Sequence, residues 1–222
     1  MMNSNRRLVV QTAGLVAGAT SLGLAPCALA QQSKEPEVDF AYRVVTPAQP
    51  TDAPKGKVEV IEFFWYGCPH CYAFEPTLTP WLDKLPAHIS FKRVPAVFSD
   101  AWFVHAKLFY ALEALGVLPK LHKVVFDTIH KDAQPLSTEE AMIEFVGKHG
   151  VDKKKFAEAF RSFGVQGKAS RARQIANNFK IDGVPSMGIA GKYVTAPTLP
   201  SVGSHEGVLP VVEFLVNKER KA

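Results

Sequence analysis

Residues 59–76 read Glu59-Val60-Ile61-Glu62-Phe63-Phe64-Trp65-Tyr66-Gly67-Cys68-Pro69-His70-Cys71-Tyr72-Ala73-Phe74-Glu75-Pro76, and this stretch decides the fold. Val60 to Tyr66 is apolar and aromatic with one acid, Glu62, inside it. Ending at Gly67, it predicts a buried strand that delivers the chain to a tight turn. Two cysteines three positions apart follow, at the mouth of a predicted helix. Cysteines at i and i+3 lie on one side of a helical turn, close enough for a disulfide. The first turn of a helix offers free N–H groups and the positive end of the macrodipole, so Cys68 is expected to ionise easily. Pro69 suits the first helical position. His70 places a second donor, or a second positive charge, beside the Cys68 sulfur.

A C-x-x-C pair at a strand-to-helix junction is the pattern of thioredoxin-like redox chemistry. Two other uses compete with it. A structural zinc site needs four ligands, yet there is no second cysteine pair, and His88, His105, His122, His130 and His149 form no close H-x(3 to 5)-H pair. An inert disulfide closing so small a loop would stabilise the chain little.

The chain has 222 residues, 47% of them hydrophobic, enough for one domain or one domain carrying an insertion. Residues 1–30 read as a cleaved signal peptide: Arg6 and Arg7, an apolar run from Leu8 to Leu24, and Ala28-Leu29-Ala30 before Gln31. The expected destination is the periplasm. The paired arginines leave the Sec and twin-arginine routes open. A lipoprotein at Cys27 is disfavoured by Pro26, and a retained anchor by the glycines at 14, 18 and 23. Cleavage would leave two cysteines, and losing Arg6 and Arg7, with no acid before Glu35, would lower the net charge from +5 to +3. That balance is too weak to argue for nucleic acid. No other stretch is apolar for the length of a membrane span.

Along the mature chain, Phe40 to Val45 predicts a first strand and the proline-rich segment from Thr46 to Gly56 a linker. Phe74, Leu78, Trp81 and Leu82 predict a helix from Cys68, kinked at Pro76 and Pro80. Ile89 to Val94 alternates as a strand. From Asp100 the period becomes 3.6, predicting five helices: one ending near Gly116, one opened by Pro119, one with a Ser137/Glu140 capping box, one capped by Asp152 and carrying Phe156, Phe160 and Phe163, and one over Gln166 to Lys180. A hairpin over Ser186 to Thr195 turning at Gly191, and a last helix opening between Ser204 and Pro210, complete the order. The expected fold is α/β, a small sheet domain over 31–98 and 174–222 with an all-helical domain inserted at 99–173.

Glu62-Phe63-Phe64, Cys68-Pro69-His70-Cys71-Tyr72, Phe74-Glu75, the helical block and Gly183-Val184-Pro185 together resemble the DsbA family of bacterial thiol:disulfide interchange proteins, of the thioredoxin superfamily. The resemblance covers essentially all of the mature chain. It implies a thioredoxin-like fold, with Cys68 as the exposed nucleophile and Cys71 as the buried resolving thiol. It implies a cis bond before Pro185, where the residues alone favour an ordinary trans turn proline, and backbone groups at Val184 for a substrate strand. It places Glu62 beneath the active site to handle the Cys71 proton, with Glu75 as a second acid and Arg93 as a positively charged residue near Glu62. On residue type alone, a solvated position is the lesser alternative for Glu62 and an equal one for Glu75. No cofactor is implied beyond the Cys68–Cys71 disulfide, and no metal. The implied partners are reduced or unfolded secreted proteins and a DsbB-type, quinone-linked inner-membrane reoxidant, with the protein itself a monomer. The expected activity is disulfide donation through a mixed disulfide at Cys68. A thiol reductase or disulfide isomerase, or a non-enzymatic periplasmic binding module with a structural disulfide, are the alternatives.

Overall fold

Seven consecutive buried residues, Val58–Phe64 (β2), form an interior strand of the sheet. In the computed structural model, which describes residues 35–221, the strand order is β1 (Arg43–Val44), β5 (Tyr193–Thr195), β4 (Ser186–Ile189), β2, β3 (Ile89–Pro95). Of the strand pairs among the described residues, β2 with β3 is parallel and the other three are antiparallel. The signal peptide predicted for residues 1–30 lies outside the described residues.

The period of two sorts the apolar side chains of β2 between two cores as far as Phe63, while Phe64 joins Phe63 in the core of the helical block. Val58 and Val60 pack with Phe74 and Leu78 of α1 (Pro69–Leu82) and with Val212 and Leu215 of α7 (His205–Lys221). Ile61 and Phe63 face the opposite way, into a core shared with the helical block. That block contains α2 (Asp100–Ala114), α3 (Leu118–His130), α4 (Glu139–Lys148), α5 (Lys153–Arg161) and α6 (Phe163–Asn178). Leu108, Phe126, Met142 and Phe156 are among its buried contributions, and Phe179, just past the end of α6, joins them. Sheet and helices thus share one interior, and α6 runs straight across position 173, where the insert was expected to end.

The hairpin turns where expected. Ala190 and Gly191 both have positive φ, 53° and 68°, the pattern of a type I′ turn. A Cβ at Gly191 would also lie 2.0 Å from the Gln49 carbonyl oxygen, so glycine is required there twice over.

Several local expectations are corrected. The first strand shrinks to two residues, and Phe40 is left exposed. α1 continues through Pro76 and Pro80 as one helix. The cap of α4 is Thr138, whose side chain accepts from Ala141 N at 3.2 Å, one residue beyond the expected Ser137. Phe163 does not belong to the fourth helix of the block: Ser162 ends α5, caps α6 through Val165 N, and turns Phe163 out to 97% exposure. Apolar spacing carried the pattern one step past a cap that breaks it.

Phe160 and Phe163 therefore make a sharp comparison. Phe160→Ala is expected to cost about 3 kcal/mol or more, as for a buried phenylalanine, and Phe163→Ala no more than about 0.5 kcal/mol, read by urea unfolding of each variant.

Candidate active site

Cys68 occupies the N-cap of α1 in an extended conformation, φ −87° and ψ 117°, with Pro69 opening the helix. The turn before it closes through Cys68 N–H to Trp65 O at 2.9 Å, and the helix begins with Tyr72 N–H to Cys68 O at 3.1 Å. The chain arrives from a buried strand and leaves as a helix, so the cysteine sits where free N–H groups converge.

Both cysteines are free thiols in the structure. They are unequal in exposure: Cys68 keeps 7% of its surface accessible and Cys71 none. Cys68 is therefore far more covered than an exposed nucleophile was expected to be, though it is still the accessible one of the pair. Its pKa is lowered to about 6, first by the hydrogen bond from the Cys71 thiol, then by the N–H groups of Cys71 and His70, and last by the His70 charge, with burial opposing. Cys71 is pushed well above the usual thiol value, chiefly by burial and then by the neighbouring Cys68 sulfur. His70, expected to offer a second donor or a second positive charge, contributes its backbone N–H more than its charge, which is the smallest of these contributions.

The segment far along the chain returns to this point. The Val184–Pro185 bond is cis, and Cys68 Sγ–H donates to the Val184 carbonyl at 3.4 Å. A cleft of about 160 Å³ beside it is lined by His70, Val184, Pro185, Pro197, Thr198 and His205. Its far wall is the segment between β5 and the start of α7. Nothing in the sequence around His205 signalled this, because the approach is made by an irregular connection.

Beneath the helix, parallel pairing sets Glu62 directly beside Arg93. Arg93 Nε donates to Glu62 Oε2 at 2.7 Å and Nη2 to Glu75 Oε1 at 2.9 Å. Neither acid is a solvated surface residue: Glu62 is fully buried and Glu75 is 9% exposed. Burial outweighs Arg93 at Glu62 and, with Glu75 adding repulsion, lifts its pKa to about 7. At Glu75 burial is outweighed by the approach of His122 and Arg93, and the carboxyl lies below its usual value. His122 Nε2 stands 3.5 Å from Glu75 Oε1, with burial lowering the His122 pKa, and Arg93 supplies the permanent positive charge of the cluster.

Sequence reasoning placed Tyr66 at the end of the apolar strand run and His122 in no metal-binding pair. The structure joins them, Tyr66 OH to His122 Nδ1 at 2.9 Å, with Tyr66 buried between the redox turn and α3. Trp65 stacks on Trp102, with centroids 4.2 Å apart and planes 8° from parallel. Among the described residues, no three or more His, Cys, Asp or Glu side chains are grouped to hold a metal ion.

A nucleophilic thiol at a helix N-terminus, a buried partner thiol and a cis-proline carbonyl beside them together suit thiol–disulfide exchange. Comparison with known proteins agrees. The profile of the DSBA-like thioredoxin domain matches residues 87–203. The thiol:disulfide interchange protein DsbA of Azotobacter vinelandii is 43% identical over 212 residues, 94% of this chain and 98% of that protein. The protein of that name from Burkholderia cepacia is 47% identical over 199 residues, 89% of this chain and 92% of that one. The crystal structure of Pseudomonas aeruginosa DsbA superposes with a TM-score of 0.77 at 42% identity, covering 82% of this chain and 93% of that one. With the redox cysteines, the cis-proline and the thioredoxin-like sheet all in place, the chain belongs to the DsbA family and is a protein thiol:disulfide oxidoreductase.

Proposed function

We propose that this enzyme is a disulfide donor, an oxidant acting on reduced, unfolded proteins newly exported to the periplasm. The observation that carries this reading is the opposite displacement of its two thiols, Cys68 down to about 6 and Cys71 well up. A stabilised Cys68 thiolate favours the reduced enzyme, and so makes the Cys68–Cys71 disulfide ready to take electrons.

The exchange proceeds in two displacements. A substrate thiolate attacks Cys68 Sγ, the S–S bond breaks, and Cys71 leaves with the electron pair. Its high proton affinity requires a proton, and Glu62, half protonated near neutrality, is the group proposed to deliver it. A second substrate thiolate then attacks the substrate sulfur of the mixed disulfide and releases Cys68 as thiolate. The substrate leaves with its disulfide, and the enzyme holds two electrons. Val184 and Pro185 are assigned to the substrate strand by backbone pairing, in the cleft that also holds His70. Pro69 and His70 set the start of the helix and part of the field at Cys68.

Each turnover leaves the enzyme reduced, so a membrane reoxidant of the quinone-linked DsbB type is the inferred partner. No helix among the described residues is long and apolar enough to cross a membrane. The enzyme is proposed to work as a monomer with its own disulfide as the sole redox group, and residues 99–173 are read as the insert that covers one face of the sheet.

Equilibration in glutathione buffers tests the direction. A midpoint at or above about −180 mV supports a donor, whereas one near the about −270 mV of thioredoxin would make the protein a reductase.

The depressed Cys68 also predicts a pH signature. Its thiolate stabilises the reduced fold in full once the pH exceeds the unfolded value of about 8.5, and this stabilisation fades as the pH falls through about 6. The excess stability of the reduced over the oxidised form should therefore shrink between pH 8 and pH 5 in paired thermal melts. A gap that stays constant, or widens toward acid, contradicts the assignment.

Glu62→Gln is expected to slow single-turnover exchange at pH 7 by about tenfold to a hundredfold, the scale of general acid catalysis, while the alkylation pKa of Cys68 stays near 6. An unchanged rate would remove Glu62 from the mechanism.

A further inference from the structure

We propose that His130, the last residue of α3, is a positioning residue for the redox turn. Its Nε2–H donates to the Tyr66 carbonyl at 2.8 Å. Its ring also stacks on Tyr72, with centroids 4.9 Å apart and planes 10° from parallel. These two contacts fall on opposite sides of Cys68 in the chain. Tyr66 lies inside the turn closed by Cys68 N–H on Trp65 O, and Tyr72 N–H is the donor that takes the Cys68 carbonyl into the helix.

The grip is reinforced from the same helix. His122, two turns earlier on α3, meets the Tyr66 hydroxyl at 2.9 Å, so α3 holds Tyr66 at both its side-chain and its backbone end. Asp127, between the two histidines, accepts from Tyr72 OH at 2.8 Å while pairing with Lys123 and Lys131. Tyr72 is thereby fixed under the His130 ring.

The consequence is electrostatic. The donors that lower Cys68, the Cys71 thiol and the N–H groups of Cys71 and His70, act over hydrogen-bond distances and weaken steeply when misaligned. Their aim depends on the plane of the Tyr66–Gly67 peptide and on the start of α1, the two features His130 holds. His130 acts on the thiol only through Tyr66 and Tyr72. Because a carbonyl only accepts, the contact also requires the proton of a neutral His130 to sit on Nε2.

This inference rests on Cys68 being the low-pKa nucleophile. The test compares wild type, His130→Phe and His130→Gln. The phenylalanine keeps a ring for Tyr72 but has no donor, and the glutamine supplies an amide N–H near the Nε2 position without a ring. The Cys68 pKa is read from the pH dependence of alkylation, the midpoint from glutathione buffers, and stability from thermal melting of the oxidised forms. His130→Phe is expected to raise the Cys68 pKa by about one unit, a tenfold loss of thiolate at acidic pH, and to move the midpoint toward reducing values. His130→Gln is expected to restore most of both. If the two variants melt lower while the Cys68 pKa and the midpoint stay at the wild-type values, His130 is merely structural and the inference is overturned. Nitrogen NMR of wild-type His130 gives an answer that does not depend on how the variants fold: a neutral Nε2–H tautomer supports the contact, and Nδ1–H overturns it. A wild-type Cys68 titrating near about 8.5 would instead remove the disulfide-donor reading before any variant is compared.

Discussion

The Arg93 guanidinium between Glu62 and Glu75 is the interaction on which the rest of this architecture turns. Two carboxyls and one cation are buried together, and removing any charge from water costs several kcal/mol unless it is paired. One cation cannot satisfy two buried anions. The arrangement settles the imbalance by lifting Glu62 to about 7, so that near neutrality it carries its charge only part of the time. The proton delivery proposed for Glu62 draws on this otherwise costly cluster under the reactive helix. The three residues come from β2, β3 and α1, which ties the parallel register of the strands to the seating of the helix.

Above this cluster, two cysteines of the same helical turn are driven apart in chemistry by small differences in position. Cys68 sits at the N-cap, where the thiol and N–H of Cys71 and the N–H of His70 all point at its sulfur. Cys71 lies three residues further on, fully buried, and meets mainly desolvation and the neighbouring sulfur. The fold thus makes one thiol a good leaving group and the other a poor one.

The inserted helices do more than cover the sheet. They pack on the same face as Ile61 and Phe63, and α3 reaches the redox turn with His122 and His130 while α2 brings Trp102 against Trp65. Buried aromatic and imidazole groups with matched partners hold a turn in one geometry better than apolar packing alone, because each hydrogen bond has a direction.

Much of this was legible in the chain. The apolar run from Val60 to Tyr66, the change of period at Asp100 and the Cys68-Pro69-His70-Cys71 spacing follow from local geometry, and local geometry is written in neighbouring residues. The hairpin at Gly191 was legible for the same reason. The misreadings at Phe163 and Thr138 were also local: competing caps one residue apart differ by less than a hydrophobic pattern can resolve. For Pro185, the residues alone favoured the ordinary trans state, and only the family resemblance pointed to the cis bond found beside the redox turn. The sequence by itself determined the elements, the redox pair and the acid within the strand. Only the tertiary structure decided that Arg93 holds both Glu62 and Glu75, that His205 walls the cleft and that His122 and His130 meet Tyr66. Those contacts join residues tens to more than a hundred positions apart, and their energies depend on burial and direction, which exist only once the chain has closed on itself.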